Sequence, residues 1–484
     1  MKKTMIRTVT LFLVVVAGIL LFLLYPAKNN PPSGDIAESV ASTALGDSTE
    51  PVSSDLPTDA PVNMTITVQE MTEDLDYLVK TMEEVHPALM EGWSKEQQET
   101  INEVYEQIKS PLTKEQFYFS ANKIVASAHD AHTTINPFSA ATEVISLPLY
   151  WAPEGPVVLN STLQLQRGDL LVELGGLTPE ELLEKLTQVV PAENEYWVKT
   201  SGISMLTNGA FLKDLNLVED GKVSITIDRD GELVQLDLPL VPLKSSNTSK
   251  TAFDTGHEDY SYTLNEELSL GILRINTCKV NQDYLSTLEN FFAEVASLKI
   301  KHVAVDIRNN SGGDSRVIDE FLRYIDGVDK YGSYSGLVRF SKQAAEQRGE
   351  SQTSGYFSSD PYQVEITNPA TPSFAGNLYV LTSPKTFSSG NWFAVIIQDN
   401  KLGTILGEPT GNQPSSYGDV LGFSLPHSGF QFNVSYKKFK RPNSKLDDQT
   451  ALMPDVPVYT TRQDIIDSRD AQIGKLEDII KRKP

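Results

Sequence analysis

Two strand–turn–helix patterns in the second half of the chain constrain its fold most strongly. The first is an apolar run at residues 302–308, which leads into a polar turn containing Gly312 and Gly313 and then into a helical pattern. The second is an apolar run at residues 378–381, which leads through polar residues to Ser388 and Ser389 and then into an apolar helical segment. Strands that alternate with helices in this way predict an α/β core with largely parallel pairing.

The two turns carry the groups that acyl transfer needs. A Gly-Gly turn between a strand and a helix presents backbone N–H groups that can stabilise an oxyanion. Ser388 and Ser389 stand where a helix begins, and the unsatisfied N–H groups and helix dipole favour negative charge there. A hydroxyl at such a place can act as a nucleophile or can cap the helix, and capping is the commoner use. The serine pair alone leaves both uses open.

Four motifs in this half resemble those of the carboxyl-terminal-processing, or tail-specific, serine protease family, which includes a tricorn-like branch. The motifs lie at residues 306–313, 386–391, 407–411 and 453–458. The resemblance implies a crotonase-like core shared with Clp-type proteases and an enzyme that hydrolyses peptides or proteins through a serine. It implies neither a metal nor an organic cofactor.

The same resemblance assigns roles at the two turns. The family motif has its nucleophile three residues before the position of Asn391, which makes Ser388 the nucleophile rather than Ser389. The N–H of Ser389 is then one oxyanion donor, and the N–H of Gly312 or Gly313 is the other.

The general base is where the chain departs from the processing proteases. Those enzymes carry a lysine a few residues after Gly-Glu-Pro-Thr, but here residues 411–414 read Gly-Asn-Gln-Pro and no lysine lies between residues 402 and 436. A neutral imidazole can do the same work. Residues 130–133, Asp-Ala-His-Thr, resemble a family motif whose histidine is the base in the tricorn-like branch, which implies that His132 is the base here. From the residues alone, a core or surface histidine is the alternative.

The acid that orients His132 is predicted by its distance from a later motif. The tricorn-like branch has a glutamate shortly before its Pro-Asp motif, and Asp448 falls at that distance here. Two solvated loop carboxylates, Asp447 and Asp448, are an equal alternative. His129 and His132 could share a metal on one helix face, but no third ligand stands nearby in the sequence, so we predict no metal site.

The first residues of the chain predict its location. Lys2, Lys3 and Arg7 precede residues 8–27, which carry no charge. Twenty helical residues span about 30 Å, enough to cross a bilayer, and the flanking positive charges favour the cytoplasmic side. We therefore predict a single-pass membrane anchor at 1–27 with the catalytic part outside the cytoplasm. A cleaved signal peptide, which would give a secreted protein, is the alternative.

The rest of the chain divides by composition and period into a multidomain α+β and α/β protein. We predict a disordered linker at 28–66, a helical region at 67–140, a PDZ-like domain at 141–245, a catalytic domain at 250–465 and a charged C-terminal helix at 466–484. The PDZ-like domain is predicted because residues 167–176 resemble the Gly-Asp-x-Ile strand of such domains. The formal net charge of −23 argues against nucleic acid as a partner, because a polyanion would be repelled.

These observations predict an extracytoplasmic serine endopeptidase. Two alternatives stay open at this point. One is a non-catalytic protein that binds peptides or another ligand on the same scaffold, since the usual lysine is missing. The other is an esterase or amidase that acts on a small molecule through the same site.

Overall fold

The computed structural model describes residues 65–136, 143–243 and 258–482. The predicted anchor at 1–27 and nearly all of the predicted linker at 28–66 lie outside these residues. None of the helices within the described ranges combines the length and the apolar character of a membrane span.

The first described segment is helical, as the three- and four-residue spacing of its apolar residues predicts. Helix α1 buries Met71, Leu75, Leu78 and Met82 along one face. After the third helix the chain turns through residues 130–133 into a short strand. The elements are β1 (Thr65–Ile66), α1 (Val68–Val85), α2 (Lys95–Gln107), β2 (Leu112–Thr113), α3 (Lys114–Ala126) and β3 (Thr134–Ile135).

The middle segment contains a five-stranded antiparallel sheet in the order β5-β6-β7-β8-β9. Its elements are β4 (Glu143–Val144), β5 (Leu149–Ala152), β6 (Gly155–Val158), β7 (Leu170–Leu174), α4 (Pro179–Thr187), α5 (Glu195–Gly202), α6 (Gly209–Asp214), β8 (Lys222–Arg229), β9 (Glu232–Pro239) and β10 (Val241–Pro242). The pair Asp230-Gly231 is typical of a two-residue hairpin turn, and β8 and β9 form that hairpin. Both residues have positive φ, as a turn of type I′ requires. That this segment is a PDZ-like domain stays a prediction.

The last segment contains the predicted α/β core. Its elements are β11 (Tyr260–Asn265), β12 (Leu270–Ile275), α7 (Gln282–Ser297), β13 (His302–Asp306), α8 (Arg316–Leu322), β14 (Lys330–Ser333), β15 (Ser335–Arg339), α9 (Lys342–Arg348), β16 (Tyr356–Ser358), β17 (Tyr362–Glu365), β18 (Asn377–Thr382), α10 (Ser389–Asp399), β19 (Thr404–Gly407), β20 (Tyr417–Ser424), β21 (Gln431–Lys440), β22 (Val456–Pro457), α11 (Arg462–Asp467) and α12 (Ala471–Lys481). Six strands form a sheet in the order β11-β12-β13-β18-β19-β22, in which every neighbouring pair except β11 with β12 is parallel.

Both faces of this sheet are covered. Helices α7, α8 and α10 bury Leu288, Phe321 and Phe393 against one face. Helix α12 buries Leu476 and Ile480 against the other face. The C-terminal segment predicted as a charged helix is therefore helical and amphipathic, with an apolar stripe that closes the third layer of the core.

The hairpin of β20 and β21 joins the last segment to the first two. Its residues Leu421 and Phe432 lie in the same hydrophobic core as Phe117 of α3 and Ile225 of β8. Strand β21 also pairs with β3, with Phe432 opposite Ile135. This pairing holds residues 130–133 beside the α/β core, although they lie far away in the sequence.

A buried ion pair fixes the end of helix α10. Arg441 and Asp399 have fully buried side chains, and Nη2 of Arg441 lies 2.6 Å from Oδ1 of Asp399. Further hydrogen bonds run from Nη1 of Arg441 to Oε1 of Gln449 at 2.8 Å and to the carbonyl of Leu446 at 3.1 Å. The guanidinium is thus satisfied without water.

Replacing Arg441 by Ala should destabilise the protein by about 3–5 kcal/mol, because it leaves the buried carboxylate of Asp399 without its partner. The measurement is the melting temperature by circular dichroism. Lys95→Ala is the control, since the ion pair of Lys95 with Glu99 is exposed and such pairs contribute only about 0–1 kcal/mol. Equal shifts in the two variants would contradict the account.

Candidate active site

The turn after β18 holds Ser388 in an unusual backbone conformation. Its φ is 51° and its ψ is −126°, and it precedes the first residue of α10 without capping that helix. Such a conformation costs a non-glycine residue about 1–3 kcal/mol and is characteristic of functional sites. The N–H of Ser388 donates to Oδ1 of Asn412 at 3.0 Å. No hydrogen bond within the described residues involves its Oγ, so the hydroxyl is available.

Ser389 is bonded differently, although it is the next residue. Its side chain is buried and its Oγ donates to the carbonyl of Gly313 at 2.7 Å. This bond ties the start of α10 to the glycine turn that follows β13. The two neighbouring serines therefore differ in their hydrogen bonding.

The two glycines of that turn are required by close approach. Both have positive φ, 108° for Gly312 and 129° for Gly313. A Cβ on Gly312 would lie 2.5 Å from Cβ of Ser388, and a Cβ on Gly313 would lie 2.2 Å from the carbonyl oxygen of Cys278. Neither position has room for a side chain.

The hydrogen bonds of the turn show which N–H groups are available to bind an oxyanion. The N–H of Gly312 donates to Oδ1 of Asn310 at 2.8 Å, so it is already engaged. The N–H groups of Gly313 and Ser389 have no acceptor among the hydrogen bonds of the described residues. Of the two predicted glycine donors, Gly313 therefore has the available N–H. Gly312 instead allows its turn to pack closely against Ser388.

His132 lies beside the nucleophile turn. Its ring centroid is 4.6 Å from that of Phe387, the residue before Ser388. Its Nδ1 is buried and has no hydrogen-bond partner, whereas the side chain as a whole is 15% exposed, so the exposed part of the ring lies away from Nδ1. The structure brings His132 and Ser388 into one neighbourhood but shows no hydrogen bond between them.

Asp130 is a buried carboxylate beneath His132. Oδ1 of Asp130 lies 3.8 Å from Nδ1 of His132, which is too long for a hydrogen bond. Its oxygens accept from Nε2 of His86 at 3.1 Å, from the N–H of His132 at 3.0 Å and from the hydroxyls of Thr133 and Ser435, each at 2.6 Å. Burial alone would raise the pKa of Asp130, but the hydrogen bonds and charges of His132 and His86 outweigh it and hold the pKa well below its ordinary value. Asp130 is therefore an anion.

His86 supports this anion. It ends α1 before Pro87, and its Nδ1 accepts from the N–H of Ala88 at 3.1 Å. Since Nδ1 is an acceptor, Nε2 carries the proton that it donates to Asp130.

Glu193 is a site residue that the sequence did not reveal. It precedes α5 in the middle segment, and its Oε1 accepts from Nδ2 of Asn412 at 3.2 Å. Its Oε2 is buried without a partner. Burial and the charge of Asp130 raise the pKa of Glu193 to about 8. The sequence contains one indirect signal for Glu193. Asn412 stands in the place of the missing lysine, and its side-chain amide needs a hydrogen-bond acceptor from another part of the chain.

Asp130, His132 and Glu193 together are the described group closest to a metal site. One ligand atom from each lies within 4.8 Å of the other two. His129, which the sequence paired with His132, is not part of this group. The oxygens of Asp130 already accept four hydrogen bonds, so we interpret the group as a hydrogen-bonding network.

Asp448 does not have the contacts that its predicted role requires. It lies exposed in the turn after residues 444–446, and no hydrogen bond or ion pair of the described residues joins it to His132. The carboxylates beside His132 are Asp130 and Glu193. As the acid that orients His132, Asp448 stays a prediction that no contact supports.

Asp306 and Arg308 serve the turn itself. Arg308 donates to both oxygens of Asp306, at 2.9 and 2.8 Å, and to Oδ1 of Asp470 at 2.8 Å. These hydrogen bonds fix the backbone where β13 runs into the glycine turn.

Residues 269–458 match the sequence model of Peptidase family S41. The chain is a serine-type peptidase, and these residues form its S41 domain. The match confirms the resemblance to the tail-specific proteases, and it spans both turns, Ser388 and Asn412. No curated protein matches the sequence.

Solved structures show how far the fold of this S41 peptidase extends. Mature CPAF complexed with lactacystin is 14% identical, with a TM-score of 0.62 over 86% of this chain and 98% of its own. Mature CPAF gives a TM-score of 0.61 at 14% identity over 85% and 97% of the two chains. At this identity the likeness concerns the fold alone. It covers far more than residues 269–458, so the helical and middle segments share in it.

Replacing Gly312 by Ala should lower the rate at which a serine-directed phosphonate labels the S41 peptidase by about 100-fold, because the new Cβ displaces Ser388 and a misplacement of about 1 Å costs that much. Gly327→Ala is the matched control: Gly327 also has positive φ, 76°, but its added Cβ meets nothing within 4 Å. Equal labelling of the two variants would show that the close approach is unimportant.

Proposed function

We propose that this S41 peptidase hydrolyses peptide bonds with Ser388 as the nucleophile and His132 as the general base. One arrangement carries the proposal. Ser388 has a strained backbone, and its hydroxyl makes no hydrogen bond within the described residues. It lies at the same turn as the available N–H groups of Gly313 and Ser389, and the ring of His132 contacts Phe387, the residue before it. The cap interpretation of Ser388 loses its support, since the hydroxyl makes no capping bond.

The chemistry follows the serine–histidine pattern. Nε2 of His132 removes the proton of Ser388 as Oγ attacks the substrate carbonyl, and the N–H groups of Gly313 and Ser389 stabilise the oxyanion. The C–N bond then breaks as His132 returns the proton to the leaving amine. Water, activated by the same imidazole, hydrolyses the acyl-enzyme and frees Ser388. Nε2 is the nitrogen that fits this role, because Nδ1 is buried.

Asp130 supports the imidazole electrostatically. An anion 3.8 Å from Nδ1 favours the tautomer in which Nδ1 carries the proton and Nε2 is free to accept one. It also stabilises the imidazolium that forms during attack. In this mechanism Asp130 supplies negative charge beside the imidazole, whereas Asp448 has no contact with it.

A lysine base has no support in the surroundings of Ser388. Asn412 occupies the place of the family lysine and bonds the N–H of Ser388. Of the lysines on β21, Lys437 pairs with Asp419 at 2.5 Å and Lys438 lies over the ring of Tyr417 at 5.1 Å.

The proposal includes the setting and substrate that the sequence predicts. An uncharged segment at 8–27 preceded by three basic residues favours a membrane-anchored enzyme that acts outside the cytoplasm. A PDZ-like middle domain would select peptides by their free C-terminus through strand addition. Cleavage of peptides with a free C-terminal carboxylate but not of the same peptides with an amide would support this selection, and equal cleavage would contradict it.

Ser388→Ala should abolish both peptide hydrolysis and labelling by an α-aminoalkyl diphenyl phosphonate, whereas Ser389→Ala should retain measurable activity, because only its N–H serves the reaction. The measurements are hydrolysis of fluorescein-labelled casein and mass spectrometry of the labelled peptide. Equal labelling of the two variants would overturn the choice of nucleophile. Labelling of Ser388 without any hydrolysis of casein or peptides would favour a small-molecule esterase.

His132→Asn should lower casein hydrolysis by about 10³-fold or more, because the serine loses its base. His129→Asn is the matched control, since His129 is exposed and has φ 50°, a conformation that Asn tolerates. Loss of activity in both variants, or in neither, would contradict the role of His132.

A further inference from the structure

We propose that Glu193 is a positioning residue of this active site, whose ionised carboxylate accepts a hydrogen bond from Nδ1–H of His132. The proposal rests on the function proposed above, in which His132 is the base. Glu193 lies outside residues 269–458, so the middle segment would complete a site that the S41 domain does not complete alone.

The first observation is a pair of buried polar atoms without partners. Nδ1 of His132 and Oε2 of Glu193 are both shielded from solvent, and neither makes a hydrogen bond in the described part of the chain. Their side chains belong to one group whose ligand atoms lie within 4.8 Å of one another. Buried polar atoms in native proteins almost always have a partner. A hydrogen bond between them would satisfy both atoms.

Asp130 does not fill this vacancy. Oδ2 of Asp130 accepts from His86, Thr133 and Ser435, and Oδ1 accepts from the N–H of His132. These bonds fix the carboxylate 3.8 Å from Nδ1, so it contributes charge but no hydrogen bond to the ring. Glu193 is the other carboxylate of the group that contains His132.

The protonation state of Glu193 decides whether the pair is productive. An ionised Glu193 accepts the Nδ1 proton and leaves Nε2 free for the proton of Ser388. A neutral Glu193 would donate its own proton to Nδ1, which places the ring proton on Nε2 and removes the base. The hydrogen bond is therefore useful in one direction only.

Glu193 also reaches the nucleophile through one side chain. Nδ2 of Asn412 donates to Oε1 of Glu193 at 3.2 Å, and Oδ1 of Asn412 accepts from the N–H of Ser388 at 3.0 Å. The carboxylate of Glu193 is thus linked through Asn412 to the turn that holds Ser388, and it belongs to the same group as His132.

The segment that carries Glu193 is clamped onto the S41 domain. Nδ2 of Asn194 donates to the carbonyl of Thr450 at 2.8 Å and to that of Gly411 at 3.2 Å. The ring of Trp197 stacks on Phe387 at 4.4 Å, on the chain next to Ser388. These contacts hold Glu193 in register with the two turns.

The charges around Glu193 set its titration. Asp130 and His132 face it from the turn after α3, and the amide of Asn412 faces it from the loop before β20. Tyr417 of β20 is also near: burial, Asp130 and Glu193, in that order, raise the pKa of its phenol. Burial and Asp130 raise the pKa of Glu193 to about 8. The ionised, productive form is then the form above pH 8, so activity should rise as the pH passes from 7 to 9.

The test is the pH dependence of kcat and KM for the full chain acting on fluorescein-labelled casein. Glu193→Gln keeps the acceptor for Asn412 but cannot ionise. It should lower kcat by about 10–100-fold, the usual cost of removing an orienting partner, with KM within about twofold, and it should lose the rise near pH 8. Glu193→Asp should restore part of the kcat and the rise.

Glu195→Gln is the matched control, since Glu195 is exposed on the same segment and pairs with Lys199 rather than with a residue of the site. A Glu193→Gln variant with wild-type kcat and the same pH profile would overturn the positioning role, provided that Ser388→Ala and His132→Asn are inactive. Activity in Ser388→Ala would instead overturn the proposed function itself. A loss in Glu193→Gln and Glu193→Asp alike, with lowered melting temperatures and an unchanged pH profile, would show a merely structural role and contradict the proposal.

Discussion

The parallel pairing of β13 with β18 is the constraint on which the site depends. Asp306 lies opposite Leu381 in this pairing, so the chain leaves both strands at the same edge of the sheet. The turns that follow must then pack against each other, and they do so closely enough that Gly312 has no room for a side chain beside Ser388. The bond from Ser389 to Gly313 fastens the two turns. Two free N–H groups next to a free hydroxyl are a consequence of this packing.

The rest of the site is brought to that edge by segments from elsewhere in the chain. Strand β3 pairs with β21 and carries His132 to the turn of Ser388. The middle segment contributes Glu193 and Trp197, which lie on the chain before and within α5. Asp130 belongs to the same group as His132 and Glu193. It is an anion that accepts hydrogen bonds from the helical region and from β21. The site therefore exists only when all three described segments are assembled, although the family match covers one of them.

The sequence predicted what local pattern determines. Strands, helices, the Asp230-Gly231 hairpin and the two turns follow from apolar period and turn chemistry, which act over a few residues. The resemblance added Ser388 and His132, and the structure gives them a common neighbourhood. Glu193 could not be predicted, because its contacts with Asn412 and the His132 cluster join residues remote in sequence and belong to no motif. Asp448 was chosen by its distance along the chain, which does not measure distance in space. The different roles of Gly312 and Gly313 depended on which N–H found an internal acceptor, and that is a property of the folded turn.

The mechanism requires that Ser388 and His132 act together on one scissile peptide bond, with the N–H groups of Gly313 and Ser389 at its carbonyl oxygen. A crystal structure of the phosphonate adduct tests it most directly. The account predicts a covalent bond from Oγ of Ser388 to phosphorus, a phosphonyl oxygen about 2.7–3.1 Å from both N–H nitrogens, and Nε2 of His132 within about 2.6–3.2 Å of Oγ. An adduct on another residue, or an imidazole that stays out of reach of a labelled Ser388, would contradict it.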